Sequence, residues 1–430
     1  MSSLRNLKFN RSLFSIAGVT TCLLLYLYTV FGFTAPTYEQ DSGTYLSFAH
    51  EILDGTVLAR HSPAEVTVAR ATRTPGYPLL LAASEVIFGG NAGNILITHT
   101  LLGALALIAA AILLRREVFP PFTAATVFLG LYDMRGYFST VLTEWSAVTL
   151  LILLYGCMVW ALRSKSSLSY LTVSFLAGYS ALTRPALVVV LPVLAVGILV
   201  FPARRATKGT GILALVFLPL LWMLCNSYSI GVFSLSAFDG YNLLGVGTLV
   251  GSASINESDA PEFKEFASYM NQHKDPPIGK EREYVRDQFL KSGSDLYNHN
   301  LYEVALHYPS LSELGAIRTN SLFRQYGVRA IRENFSNYVL YIWRGWQFAL
   351  GRKWEWLMGL LLGTIALAKP ATKTMGLALL WFFMLHLAHI VLVSSVQTLT
   401  FRYLYCTEVP FVVASVLTGL SVVTTRWTKD

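Results

Sequence analysis

The sequence predicts an all-α polytopic membrane protein: a bundle of about ten transmembrane helices, helices lying at the membrane surface, and one large loop segment. Three observations carry this prediction. Only 13% of the 430 residues are Asp, Glu, Lys or Arg, about half the usual share in a soluble protein. Apolar residues make up 54% of the chain, and mean hydropathy is +0.50. The apolar residues gather into runs, many near the ~20 residues that cross a bilayer. Such a chain cannot clothe a water-facing surface of this size. The composition excludes a disordered chain, a nucleic-acid binder and an ordinary soluble enzyme.

The first run, Leu13–Phe33, has 21 residues without a charge. It exceeds a signal-peptide core, and no small-residue cleavage site follows, so it reads as a retained first helix. Further spans are expected at Asn94–Leu114, Phe122–Tyr132, Val141–Leu162, Leu168–Thr183, Ala186–Phe201 and Gly211–Ile230. After a long polar stretch come Trp354–Ala368, Thr374–Val396 and Tyr403–Thr425. Between the first loop and the second span, Tyr77–Phe88 is apolar but too short to cross, and reads as an interfacial or re-entrant helix.

Basic residues set the orientation. With the N-terminus in the cytoplasm, the cytoplasmic side receives 14 Lys and Arg, among them Arg5, Lys8, Arg115, Arg116, Arg163 and Lys165. The short outer loops receive only Arg135, Arg184 and Arg402. Both termini are therefore expected in the cytoplasm, and two long segments outside: Thr34–Thr74 and residues 231–353. The chain divides into residues 1–230, an N-terminal transmembrane module; 231–353, an extracytoplasmic and partly interfacial segment; and 354–430, the C-terminal helices. Within the large segment, residues 231–313 hold 12 acidic and 6 basic residues, whereas 314–353 hold one acidic and seven basic, interleaved with aromatics. Arginines among Trp and Tyr suit a membrane surface, by snorkelling or by contact with a lipid phosphate.

The cysteines Cys22, Cys157, Cys225 and Cys406 lie in or beside separate apolar runs and form no CxxC or metal-ligand spacing. His386 and His389 are spaced to share a helix face. Without a carboxylate or Cys beside them, packing or a helix–helix hydrogen bond is expected.

The charges near the outer surface are the candidates for chemistry. Glu39 and Asp41 form an E-x-D pair just after the first span. Two carboxylates this close could hold a divalent cation through oxygen ligands, or one could act as a base. Arg73 precedes a turn fixed by Pro75, Gly76 and Pro78, and could bind an anion or snorkel. Glu144 sits one turn into the fourth span, where a carboxylate costs about 2–3 kcal/mol without a partner; a salt bridge with Arg135 is the structural alternative. Arg184 follows the fifth span, and Arg402 and Tyr403 open the tenth. Glu408 lies two turns further in and takes no assigned role. Acids and arginines gathered at a lipid–water boundary suit a reaction on a lipid phosphate: arginines neutralise a leaving phosphate and a carboxylate takes a proton from an incoming hydroxyl.

Four pieces then resemble the GT-C superfamily of membrane glycosyltransferases, in its branch of protein O-mannosyltransferases and lipid A aminoarabinose transferases. They are Asp41 to Tyr45 (D-x-x-x-Y), Arg73-Thr74-Pro75-Gly76-Tyr77-Pro78, Leu142-Thr143-Glu144, and Arg402-Tyr403 with Pro410 beyond. Thr74 stands where the family has a proline, and residues 231–353 match no known pattern. The resemblance implies a GT-C-like bundle and a sugar donor on a polyprenyl phosphate. It implies transfer, with inversion, to a hydroxyl of a lipid, protein or polysaccharide at the outer face of a bacterial inner membrane. It makes Asp41 the general base, with Glu39 or Glu144 positioning a metal, the acceptor or Asp41. Arg402, Tyr403, Arg184 and Arg73 would hold the donor phosphate, and Tyr45 and Arg135 would position substrate. A divalent metal on Glu39 and Asp41 is compatible with the resemblance, and no other cofactor is implied. Two alternatives remain at this stage: a polysaccharide polymerase or ligase using a lipid pyrophosphate, and a lipid-linked sugar flippase.

Overall fold

A computed structural model describes residues 2–39, 41–62, 65–89, 94–275, 295–349, 353–396 and 401–424, without the side chains of 2–11, 312, 348, 353, 401 and 402. Among these residues the fold is all-helical, with one isolated bridge between Thr37 and Thr140. The helices are α1 (Ser2–Phe31), α2 (Ser42–Leu53), α3 (Val68–Thr72), α4 (Gly76–Phe88), α5 (Asn94–Leu113) and α6 (Pro120–Asp133). They continue with α7 (Thr143–Ser164), α8 (Ser167–Thr183), α9 (Val190–Val200), α10 (Arg205–Ile230), α11 (Asp239–Val250) and α12 (Pro261–His273). The last are α13 (Leu311–Glu333), α14 (Phe335–Ala349), α15 (Lys353–Ala368), α16 (Lys373–Val396) and α17 (Phe401–Thr424).

Six helices are long and apolar enough to cross a membrane, within α1, α5, α7, α10, α16 and α17. The chain is thus a multi-pass membrane protein. The four other expected spans fall on α6, α8, α9 with its 3-10 lead-in from Pro185, and α15, all shorter.

Helix α7 is the central post. Nearly every side chain from Thr143 to Leu162 is buried, on all faces. Its sequence explains this: it is apolar all round, with Ser146, Ala147, Thr149, Gly156 and Ala161 leaving room for close neighbours. Helices α5, α8, α16 and α17 pack around it. At its middle the Tyr155 hydroxyl meets Thr418 Oγ1 at 2.9 Å, tying α7 to α17.

The described residues of 34–75 and of 231–349 lie at the end of the bundle where α7 begins, called the loop face below. Two devices fix the first loop there. Arg70 is buried and donates to Asn226 Oδ1 and Ser229 Oγ of α10, each at 2.6 Å, with its guanidinium 4.5 Å from the Trp222 ring. Gly76 lets α4 touch the end of α8: a Cβ there would lie within 2.7 Å of the Leu182 and Thr183 backbone. The Tyr179 hydroxyl donates to the Gly76 carbonyl at 2.8 Å.

Helices α11 to α14 build their own core around Tyr241, Leu244, Phe266, Met270, Phe323 and Tyr326. Gly247 and Gly327 let α11 and α13 cross with their backbones in near contact. Arg329 holds Asp259 with two bonds, at 2.5 and 2.8 Å.

Candidate active site

Local sequence brings the first acid to α7. Thr37 accepts from Val141 N at 3.0 Å and donates its own N–H to Ser139 O at 2.8 Å. The Ser42 hydroxyl donates to Val141 O at 3.0 Å. Asp41 is thereby held beside the start of α7, where Thr143 and Glu144 lie. Asp41 occupies the N-cap of α2, a position whose carboxylate ordinarily accepts from the first helical N–H groups. It makes no such bond. Its Oδ1 instead accepts from Arg73 Nη2 at 2.6 Å.

Arg73 follows α3 by one residue and is gripped on several sides. Its Nε donates to Thr44 Oγ1 at 2.8 Å, and its guanidinium lies 4.6 Å from the Tyr45 ring and 5.8 Å from that of Phe238. Burial works against its charge, but Tyr45 and Asp41 outweigh burial and hold the Arg73 pKa above the ordinary arginine value.

The second pair lies deeper. Pro185 forces the residue before it out of helical geometry, so α8 ends at Thr183 and Arg184 is extended. Its side chain then turns to α7: Arg184 Nη1 lies 2.9 Å from Glu144 Oε1 and donates to Thr143 Oγ1 at 2.8 Å. The Tyr403 ring covers the guanidinium at 5.0 Å. Both members are buried, Glu144 completely.

The two pairs meet at one cavity of about 330 Å³, at the small end of the range for ligand pockets. Asp41, Tyr45, Arg73, Thr143, Arg184 and Tyr403 line it. One flank is apolar, made by Ala186 and Val188 after α8 and by Leu392, Val393 and Val396 of α16. The opposite flank comes from the large segment and is polar: Ser236, Asp239, Asn242, Tyr297 and Tyr302. There Tyr297 donates to Asn242 Oδ1 at 3.1 Å, and Asp239 accepts from Asn320 at 2.9 Å and faces Arg324 at 3.3 Å.

Of the residues singled out in the sequence, the structure brings Asp41, Tyr45, Arg73, Glu144, Arg184 and Tyr403 together. Arg135 does not join them. It is exposed on the 3-10 turn after α6, donates to Tyr132 O at 3.0 Å and stacks on the Tyr132 ring at 4.1 Å. The expected alternative of a Glu144–Arg135 bridge is therefore corrected to Glu144–Arg184. Glu39 is exposed and lines no part of the cavity. Arg402 sits on the first turn of α17, with its side chain outside the described residues. His386 and His389 share Thr407 Oγ1, at 2.8 and 3.1 Å, the helix–helix hydrogen bond expected of them. Asp239, Asn242, Tyr297 and Tyr302 were missed, since nothing in their spacing marks them.

Among the described residues no three His, Cys, Asp or Glu side chains converge as metal ligands, and Asp41 is engaged by the Arg73 guanidinium.

Neither a family model nor a curated protein matches the chain.

Proposed function

We propose that the protein is an inverting glycosyltransferase with a GT-C-like arrangement, moving a sugar from a polyprenyl phosphate to a hydroxyl acceptor at the outer face of the membrane. The observation that carries this reading is the cavity itself: two arginine–carboxylate pairs between an apolar and a polar flank, at one end of an apolar bundle. A polyprenyl-phosphate sugar has the same division. Its chain suits the flank of Ala186, Val188, Leu392 and Val393. Its phosphate suits Arg184 and Tyr403 at the foot of that flank. Its sugar would reach toward Asp41, and the acceptor would enter along Asp239, Asn242 and Tyr302.

In this reading Asp41 removes the proton of the acceptor hydroxyl as the oxygen attacks the anomeric carbon. The new C–O bond forms as the bond to the phosphate oxygen breaks, with inversion, and the phosphate leaves as a dianion against arginine. No general acid is needed, because phosphate is a competent leaving group once its charge is met. Arg73 fixes the rotamer of Asp41, and Thr44 and Tyr45 fix Arg73.

The test is transfer from a lipid-linked sugar with purified protein. Asp41→Asn should insert and fold normally and lose at least about a hundredfold in rate, as expected for a general base. Activity like that of the unaltered protein would overturn the assignment of Asp41. Donors carrying one phosphate should be used, and those carrying a pyrophosphate refused. The opposite preference would favour a polymerase or ligase, and substrate movement across liposomes without transfer a flippase.

A further inference from the structure

The polar flank of the cavity, where the acceptor would enter, is built from the start of α11. Asp239 stands in the first turn of that helix and Asn242 three residues on, so their side chains are neighbours on one helix face. Both line the cavity, together with Ser236, Phe238 and Tyr302. These groups are within reach of a ligand: the Asp239 side chain is 49% exposed, and Ser236, Phe238 and Asn242 are half-buried.

Asn320 of α13 fixes this helix start. Its buried side chain accepts from Gly240 N at 2.8 Å and donates to Asp239 Oδ1 at 2.9 Å. Gly240 leaves no space for a Cβ against the Asn320 carbonyl, so α11 begins pressed on α13. Arg324 faces the other oxygen of Asp239 at 3.3 Å. An ionised carboxylate has about four acceptor positions, so acceptors remain while Arg324 offsets the charge. That combination suits a hydroxyl better than a cation. Asn242 is oriented in the opposite sense. Its Oδ1 accepts from the Tyr297 hydroxyl at 3.1 Å, which leaves Nδ2 to donate.

A fixed acceptor and a fixed donor one helical turn apart match two neighbouring hydroxyls of a sugar ring, each of which can donate and accept. Phe238 and Tyr302 add aromatic surface to the same flank, which suits the C–H face of such a ring. A peptide is commonly held through its backbone at a strand edge, and the described residues contain no strand.

We infer that the acceptor is a saccharide: Asp239 and Asn242 grip two adjacent hydroxyls of its ring and present a third toward Asp41. The inference rests on the glycosyltransferase reading for the role of this sugar as acceptor. Asn320, Arg324 and Tyr297 act through Asp239 and Asn242 and are positioning residues.

The experiment probes an array of oligosaccharides, and an array of Ser- and Thr-containing peptides, with the purified full chain in detergent, in the presence of a polyprenyl phosphate. The unaltered protein should retain a subset of the glycans and none of the peptides. Asp239→Asn keeps an oxygen for Asn320, and Asn242→Asp keeps one for Tyr297, so both variants should unfold thermally much like the unaltered protein. Asp239→Asn should weaken glycan binding by about tenfold to a hundredfold, the range for a lost hydrogen bond to a charged group. Asn242→Asp should weaken it by about tenfold. Periodate, which opens vicinal diols, gives a test that needs no variant: the retained glycans should lose binding after treatment. Glycans bound equally well by both variants, or after periodate, would overturn the site. Retention of peptides, or of no glycan, would overturn the saccharide class and leave the glycosyltransferase reading to the transfer assay. Glycans bound through Asp239 and Asn242, with no transfer from any lipid monophosphate donor, would overturn the glycosyltransferase reading and leave the sugar site standing.

Discussion

Glu144 and Arg184 face each other at 2.9 Å with almost no solvent between their charges and the protein interior. Removing one partner from such a pair strands the other, at a cost of about 3–5 kcal/mol, whereas replacing both by apolar residues of similar volume can be nearly neutral. Glu144→Leu and Arg184→Met should therefore each lower thermal stability in detergent sharply, and the double variant should regain much of the loss. If Arg184 also meets the donor phosphate, the double variant will be stable yet inactive. Equal instability of all three would mean that the pair is not coupled as its geometry requires. These two residues, with Asp41 and Arg73, were legible in the sequence because charge is rare near the bilayer and must have a reason, whereas Tyr45 and Tyr403 were singled out only through the family resemblance. Depth along a helix can be read from sequence; direction around it cannot. That is why Arg135, at a suitable depth, turns out to stack on Tyr132 at the surface, and why the partner of Glu144 is Arg184. Gly76 was legible as a turn residue. Its second task, letting α4 meet the backbone of α8, depends on a contact about a hundred residues away.

Among the elements, the segment of α11 to α14 contributes the polar flank, and here the sequence was nearly silent. Its net charges and aromatics spoke of a membrane surface. The close crossing of α11 and α13 at Gly247 and Gly327, which aims Asp239 and Asn242 into the cavity, is a tertiary fact. The Arg329–Asp259 pair, with a second bond from Arg329 Nη1 to the Ser254 carbonyl at 3.0 Å, holds the far side of this segment together. The hydrogen bond from Arg329, followed by one from the Asn256 backbone, pulls the Asp259 pKa from 3.8 down to about 2. A carboxyl whose pKa is lowered by folding adds stability above its unfolded value, and the contribution disappears as pH falls through the folded value. The tie should therefore hold above about pH 4 and fail between there and about pH 2. Hydrogen exchange across residues 251–273 is expected to rise in that window. Asp259→Asn should show the faster exchange already at pH 5 and lack the acid step. Identical acid profiles for the two proteins would exclude Asp259 as the titrating tie.

For the whole molecule, what matters is which side of the membrane the cavity faces. The helix ends carrying Arg115, Arg116, Arg163, Lys165, Arg204, Arg205 and Lys208 lie at the opposite end of α5, α7, α8 and α10 from the cavity. Clustered Lys and Arg in short loops are retained in the cytoplasm, so the cavity should open to the outside. The polyprenyl-anchored donor proposed above would reach that side by lying in the outer leaflet, beside the apolar flank that Leu392, Val393 and Val396 of α16 give the cavity. Single cysteines can decide the question. The native Cys157 and Cys406 are buried, and Cys22 and Cys225 half-buried in helices, so an impermeant maleimide should react chiefly with a new, exposed thiol. Ser258→Cys, between α11 and α12 on the loop face, should label in intact cells. Arg116→Cys, between α5 and α6 at the basic end, should label only after the membrane is opened. The reverse pattern would turn the cavity toward the cytoplasm. It would deny the proposed glycosyltransferase an outer-leaflet donor and overturn that reading.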